Sequence, residues 1–261
     1  VLVACMWRGT SGPKLRLLGL LRISPIQHQI LKTIKRTVSQ MEKDKTQEAI
    51  DLINKYTPIK VSFKQDSWLH RTIGWLLSKI GNPLYMDYTW TTLGNWIARP
   101  TCAQQAKMDD EWKILLHEGQ HARDAAKIGR VLFGLIYLLP QSLALLIPVL
   151  VAIMIAMGCG WWSLLSVIVG LVLLPIPALG RACIEARAYT VSLAIEYWTR
   201  GEETTLREIE SLTAIFAGPM YYWMWPFKSL TRKFFLEQLE IIKIGGYTDN
   251  PYLVDCKKMC D

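Results

Sequence analysis

Apolar residues recur along this chain in three rhythms, and each rhythm predicts a different kind of element. Ile30, Ile34, Val38 and Met41 follow a helical period, predicting an amphipathic helix over 25–43 opened by Ser24 as cap and Pro25 in its first turn. Thr46 is placed to cap a second helix, 47–55, that ends before Pro58. Ile59 to Phe63 alternates apolar and polar residues and reads as a short strand. Trp68 to Ile80 is helical in pattern and closes at Gly81-Asn82-Pro83, while Tyr85 to Ile97, rich in aromatics and threonines, predicts one or two strands turning at Gly94-Asn95. A helix over 111–127 follows, and two more are expected at 181–200 and 202–216.

The third rhythm is an unbroken apolar one. No charged side chain occurs from Val131 to Gly180. Gly158-Cys159-Gly160 divides this run into two pieces, 131–157 and 161–179, each close to the roughly 20 residues that a bilayer-crossing helix needs. The expectation is a transmembrane helical hairpin. Arginines and lysines flank both of its ends (Arg123, Lys127 and Arg130 before, Arg181, Arg187 and Arg200 after), which predicts an integral membrane protein with those ends facing the cytoplasm. The aromatic run Met220 to Phe227 fits headgroup depth, and the basic, leucine-rich residues 1–23 fit a segment lying on a surface.

Composition supports that separation. The chain is 51% apolar with eleven tryptophans, yet carries a formal net charge of +8. The basic excess points to anionic headgroups of a lipid bilayer, and no nucleic-acid-binding signature accompanies it. The six cysteines are scattered, with Cys256 and Cys260 in what reads as a loose tail, so usage fits a reducing compartment. Four regions result: a basic, amphipathic helical region at 1–57, a half with strands and one special helix at 58–130, the hairpin at 131–180, and a helical region at 181–261.

The special helix contains His117-Glu118-Gly119-Gln120-His121, which fits H-E-x-x-H. Histidines four apart share a helix face, so both imidazoles can reach one Zn2+, and Glu118 is placed to act as general base on a water at the open coordination position. The chain has four histidines and spends two here, whereas His28 and His70 lie outside any ligand spacing. A catalytic zinc takes three protein ligands. The position six residues past His121 is Lys127, which excludes one ligand plan; the remaining plan takes a glutamate from a later helix. Glu185 fits it best, with Glu196 and Asp124 as rivals; Asp124 is also placed to orient an imidazole, and Tyr189, one turn beyond Glu185, to donate to an oxyanion.

An H-E-x-x-H helix, a hydrophobic hairpin and a glutamate helix resemble the gluzincin plan of integral-membrane zinc peptidases, the CAAX-prenyl-protease type and its bacterial heat-shock-peptidase relatives. The resemblance covers roughly residues 85–200. It implies an α+β, mostly helical, zincin-like metallopeptidase with a short β-sheet, interrupted by the transmembrane hairpin. It also implies His117, His121 and Glu185 as zinc ligands and Glu118 as general base; the strand expected at 85–97, just before the motif helix, would hold an extended peptide or protein substrate by backbone hydrogen bonds. Those families place an aspartate four residues after the ligand glutamate, where this chain has Tyr189. The competing expectation is a non-catalytic membrane protein whose hairpin and aromatic patch engage a partner or the bilayer.

Overall fold

The computed structural model describes residues 25–79, 84–102, 110–138, 147–158, 160, 177–218, 221 and 223–261. The chain forms two compact units, and the division between them falls between Ala122 and Arg123, inside one continuous helix. That helix is therefore part of both.

The N-terminal unit opens with α1, Pro25–Tyr56. One helix replaces the two expected, because nothing between Lys43 and Thr46 is a glycine or proline that would stop it. Ala49 and Ile53 are its fully buried anchors. Strand β1 (Lys60–Phe63), α2 (Trp68–Lys79), the single turn α3 (Tyr85–Tyr88), β2 (Thr91–Leu93) and β3 (Trp96–Arg99) follow. The sheet order is β1-β3-β2, with β1 parallel and β2 antiparallel to β3. The β2–β3 hairpin turns where the sequence placed it, with Gly94 at φ 65° in the left-handed region. The start of the expected strand is corrected: Tyr85–Tyr88 is helical, because it docks on α2, where a Cβ on Gly74 would lie 2.5 Å from Met86 Cγ. Helix α4, Glu111–Ile128, closes this unit, and an acidic residue in its first turn suits the dipole there.

The C-terminal unit is helical: α5 (Arg130–Leu138), α6 (Ile147–Ala156), α7 (Leu179–Arg200), α8 (Glu202–Phe216), α9 (Lys228–Lys243) and α10 (Pro251–Cys260). Helix α7 is its axis and packs against α5, α8, α9 and α10. Ala188, Leu193, Ala194 and Ile195 are fully buried along it. Gly180 lets α5 come close, since a Cβ there would sit 2.7 Å from the Ile136 carbonyl oxygen. Gly201, at φ 83°, ends α7.

The transmembrane hairpin is not supported, and with it the integral-membrane localisation falls. Among the described residues no helix is long and apolar enough to cross a membrane. Helix α5 has 9 residues and α6 has 10, about 14–15 Å each at 1.5 Å per residue against a hydrocarbon core of about 30 Å. Helix α5 is also two-faced, with Phe133 and Tyr137 buried and Val131, Leu132 and Leu135 more than half exposed. Residues 139–146, 159 and 161–176 of the expected hairpin lie outside the described residues, as do 1–24. The aromatic run is divided: Trp223 and Phe227 are about half exposed, whereas others turn inward. Tyr221 and Met224 are buried, and the backbone around them is tied inward by Ala178 N–H to Met224 O at 2.8 Å and Trp225 N–H to Phe216 O at 3.1 Å. The expected loose tail is α10, with Cys256 in the core.

Candidate metal centre

Helix α4 has an inverted character. Every residue from Trp112 to Ala125 is buried, and these include Lys113, His117, Glu118, Gln120, His121, Arg123 and Asp124. Polar groups taken out of water cost free energy unless something binds them. Ile114, Leu115 and Leu116 supply the apolar contacts that seat the helix. The two imidazoles emerge from one face, with ring centroids 4.9 Å apart and planes at 77°.

The neighbouring carboxylate is held by the sheet. Thr92, the middle residue of β2, donates its hydroxyl to Glu118 Oε2 at 2.5 Å. Within the sheet Thr92 pairs with Ile97 on the central strand. The spacing of residues gave no sign of Thr92, since a strand threonine has no motif linking it to a helix glutamate.

Close to the same strands lies a second polar cluster that the sequence did not announce. Lys64 is fully buried, donates from Nζ to the Tyr85 carbonyl at 2.8 Å and lies 3.5 Å from the Tyr85 ring centroid. Burial pushes its amine down to about 6, while the Glu118 carboxylate pulls the other way. His70, expected to be structural or exposed, is fully buried with Nδ1 2.7 Å from the Tyr85 hydroxyl. Burial lowers its imidazole to about 4.

On α7, Glu185 is fully buried and its Oε1 accepts a hydrogen bond from the Tyr137 hydroxyl of α5 at 2.5 Å. Arg181 covers the Tyr137 ring from 4.9 Å, so the phenol is fixed from behind. Asp124, three residues past His121, is fully buried and pairs with Arg187 Nη2 at 2.8 Å.

His117, His121 and Glu185 come together: each offers a ligand atom, all three are buried, and these atoms lie within 4.8 Å of one another. No family model matches this chain, nor does any curated protein or solved structure. The centre is therefore judged on its own geometry. Atoms that close share a point roughly 2.8 Å or less from each, and bound zinc sits about 2.0–2.2 Å from nitrogen and oxygen ligands, so a small side-chain adjustment completes the fit. Two imidazoles and a carboxylate are a donor set for a divalent transition ion.

The remaining candidates make other contacts. Glu196 pairs with Arg200 one turn along α7, at 3.2 Å, and neither it nor Asp124 joins the three-residue group. The Tyr189 hydroxyl lies 3.0 Å from that of Tyr221, and its ring meets Phe216 edge-on. A phenol that donates to the Glu185 carboxylate is that of Tyr137, a residue inside the uncharged run and hidden there by the hydropathy around it.

Proposed function

We propose that this chain is a zinc-dependent peptidase of gluzincin type, with His117, His121 and Glu185 as ligands and Glu118 as general base. The observation that carries the reading is the buried convergence of a helix-borne histidine pair with a glutamate from a helix far along the chain. When bound, zinc would polarise the scissile carbonyl and acidify a water at its open coordination position.

The protein's own groups do the rest. Thr92 occupies Glu118 Oε2 and fixes the rotation of that carboxylate. A proton taken from water would then be held at Oε1 and handed to the leaving amine. Tyr137 fixes Glu185 in the same way, a support from outside the ligand set that keeps a ligand aimed. Strand β2 is an edge of the sheet, and among the described residues no strand pairs with its outer side. Thr91 and Thr92 are fully buried, however, so this edge is covered and offers no open track for an extended peptide.

Glu118→Gln tests the assignment. Removing a general base lowers the rate by about 10²–10⁴-fold, so hydrolysis of denatured casein should fall by that factor while zinc content stays at the wild-type level. Activity retained by a correctly folded Glu118→Gln protein would refute the role.

A further inference from the structure

The face of α7 turned away from Glu185 borders a cavity of about 430 Å³. At roughly 100° per residue, Ala182, Cys183 and Ala186 centre about 110° round the helix from Glu185, so the cavity does not share the ligand's face. Phe216 at the end of α8, Trp225, and Leu230, Phe234 and Phe235 of α9 form the other walls. It lies wholly within the C-terminal unit.

Its lining constrains the occupant. The polar groups on its lining side chains are the Cys183 thiol, the Arg187 guanidinium, the Trp225 indole N–H and the Thr231 hydroxyl, which already donates to the Phe227 carbonyl at 3.2 Å. A peptide or a nucleoside placed here would lose the water on most of its N–H and C=O groups to apolar walls that carry few partners for them, a cost such walls do not repay. A hydrocarbon loses nothing. The volume is ordinary for a small-molecule site and holds on the order of a dozen groups the size of a methylene. The small side chains of Ala182 and Ala186, one turn apart, leave the floor open. At the edge stands one charge, Arg187, half exposed. Asp124 takes its Nη2, and a guanidinium with five N–H donors has others to offer.

We infer that this cavity binds the hydrocarbon chain of a long-chain carboxylate, with Arg187 receiving the carboxylate. The site is independent of the metal reading and survives its failure. Chain length should matter through burial alone, each pair of methylenes removed weakening binding about tenfold or more.

Cys183 is an exposed free thiol on the lining and reports occupancy directly. The test is alkylation of Cys183 by iodoacetamide in the full chain, followed by peptide mass spectrometry, with laurate below its micelle concentration. Laurate should slow the reaction at least tenfold, butyrate should not, and dodecyltrimethylammonium should protect far less than laurate. Ala186→Trp, which fills the floor, should abolish laurate binding in calorimetry while its circular dichroism matches wild type. Unchanged alkylation in laurate would overturn the proposal even if that variant fails to fold. Equal protection by butyrate or by the ammonium would overturn it too, by removing the chain or the arginine from recognition.

Discussion

Helices α4 and α5 are neighbours in the chain and opposite in design. In α4 seven polar or charged residues are buried. In α5, among the most apolar stretches of the sequence, Val131, Leu132 and Leu135 are more than half exposed. Hydropathy alone would have put α5 inside and α4 outside. What separates them is whether a polar group has work that needs a dry environment. Electrostatic and coordination chemistry is strongest where water is excluded, so the metal and base proposed for α4 would call for the burial seen there. An apolar residue at the surface costs little, because much of any protein's surface is apolar.

The largest effect that would break this contrast is on packing. Phe133→Ala should destabilise the fold by about 3–5 kcal/mol, since it empties a fully buried aromatic site. Leu132→Ala, next to it on the exposed face, should stay within about 0.5 kcal/mol. Equal losses in urea unfolding would mean that α5 is buried on both faces. Tyr137→Phe comes next. Removing the hydroxyl that steadies Glu185 should weaken zinc affinity by about 10–100-fold with little change in melting temperature.

Lys64 sharpens the cost of polar burial. Its folded-state value of about 6 lies below the unfolded value near 10.5, so between those pH values the unfolded chain binds the extra proton. Stability should therefore rise with pH from about 6 to about 10. The contribution is complete above the unfolded value and lost as pH falls through the folded one. Lys64→Met should flatten that slope in chemical denaturation, and a variant with the wild-type slope would show that the amine is solvated. His70, lowered to about 4, adds a smaller rise between pH 4 and 6.5 by the same sign.

How far the molecule could be read from its sequence follows the same division. The histidine pair was legible because coordination ties residue type to helical spacing, and the hairpin turn because Gly94 supplies a left-handed φ. A mostly helical chain with a short sheet also followed from the periodicities. Glu185 could be selected only by combining a ligand count with the order of helices, and nothing local distinguished it from Glu196. Thr92, Tyr137 and Lys64 were illegible, because each acts through a tertiary contact that leaves no local trace. The transmembrane hairpin failed for a different reason. An uncharged run measures transfer free energy and says nothing of helix length, and the described stretches of α5 and α6 have 9 and 10 residues.

The claim on which the rest depends is that three side chains from two distant helices share one metal ion. Equilibrium dialysis against buffered zinc, read by mass spectrometry of the metal, measures it directly on the wild-type chain and on Glu185→Ala. About one zinc per wild-type chain, bound at least a hundredfold more weakly by the variant, is the expected result. A wild-type chain that takes up no zinc, or a folded Glu185→Ala protein that holds it as tightly, would contradict the account.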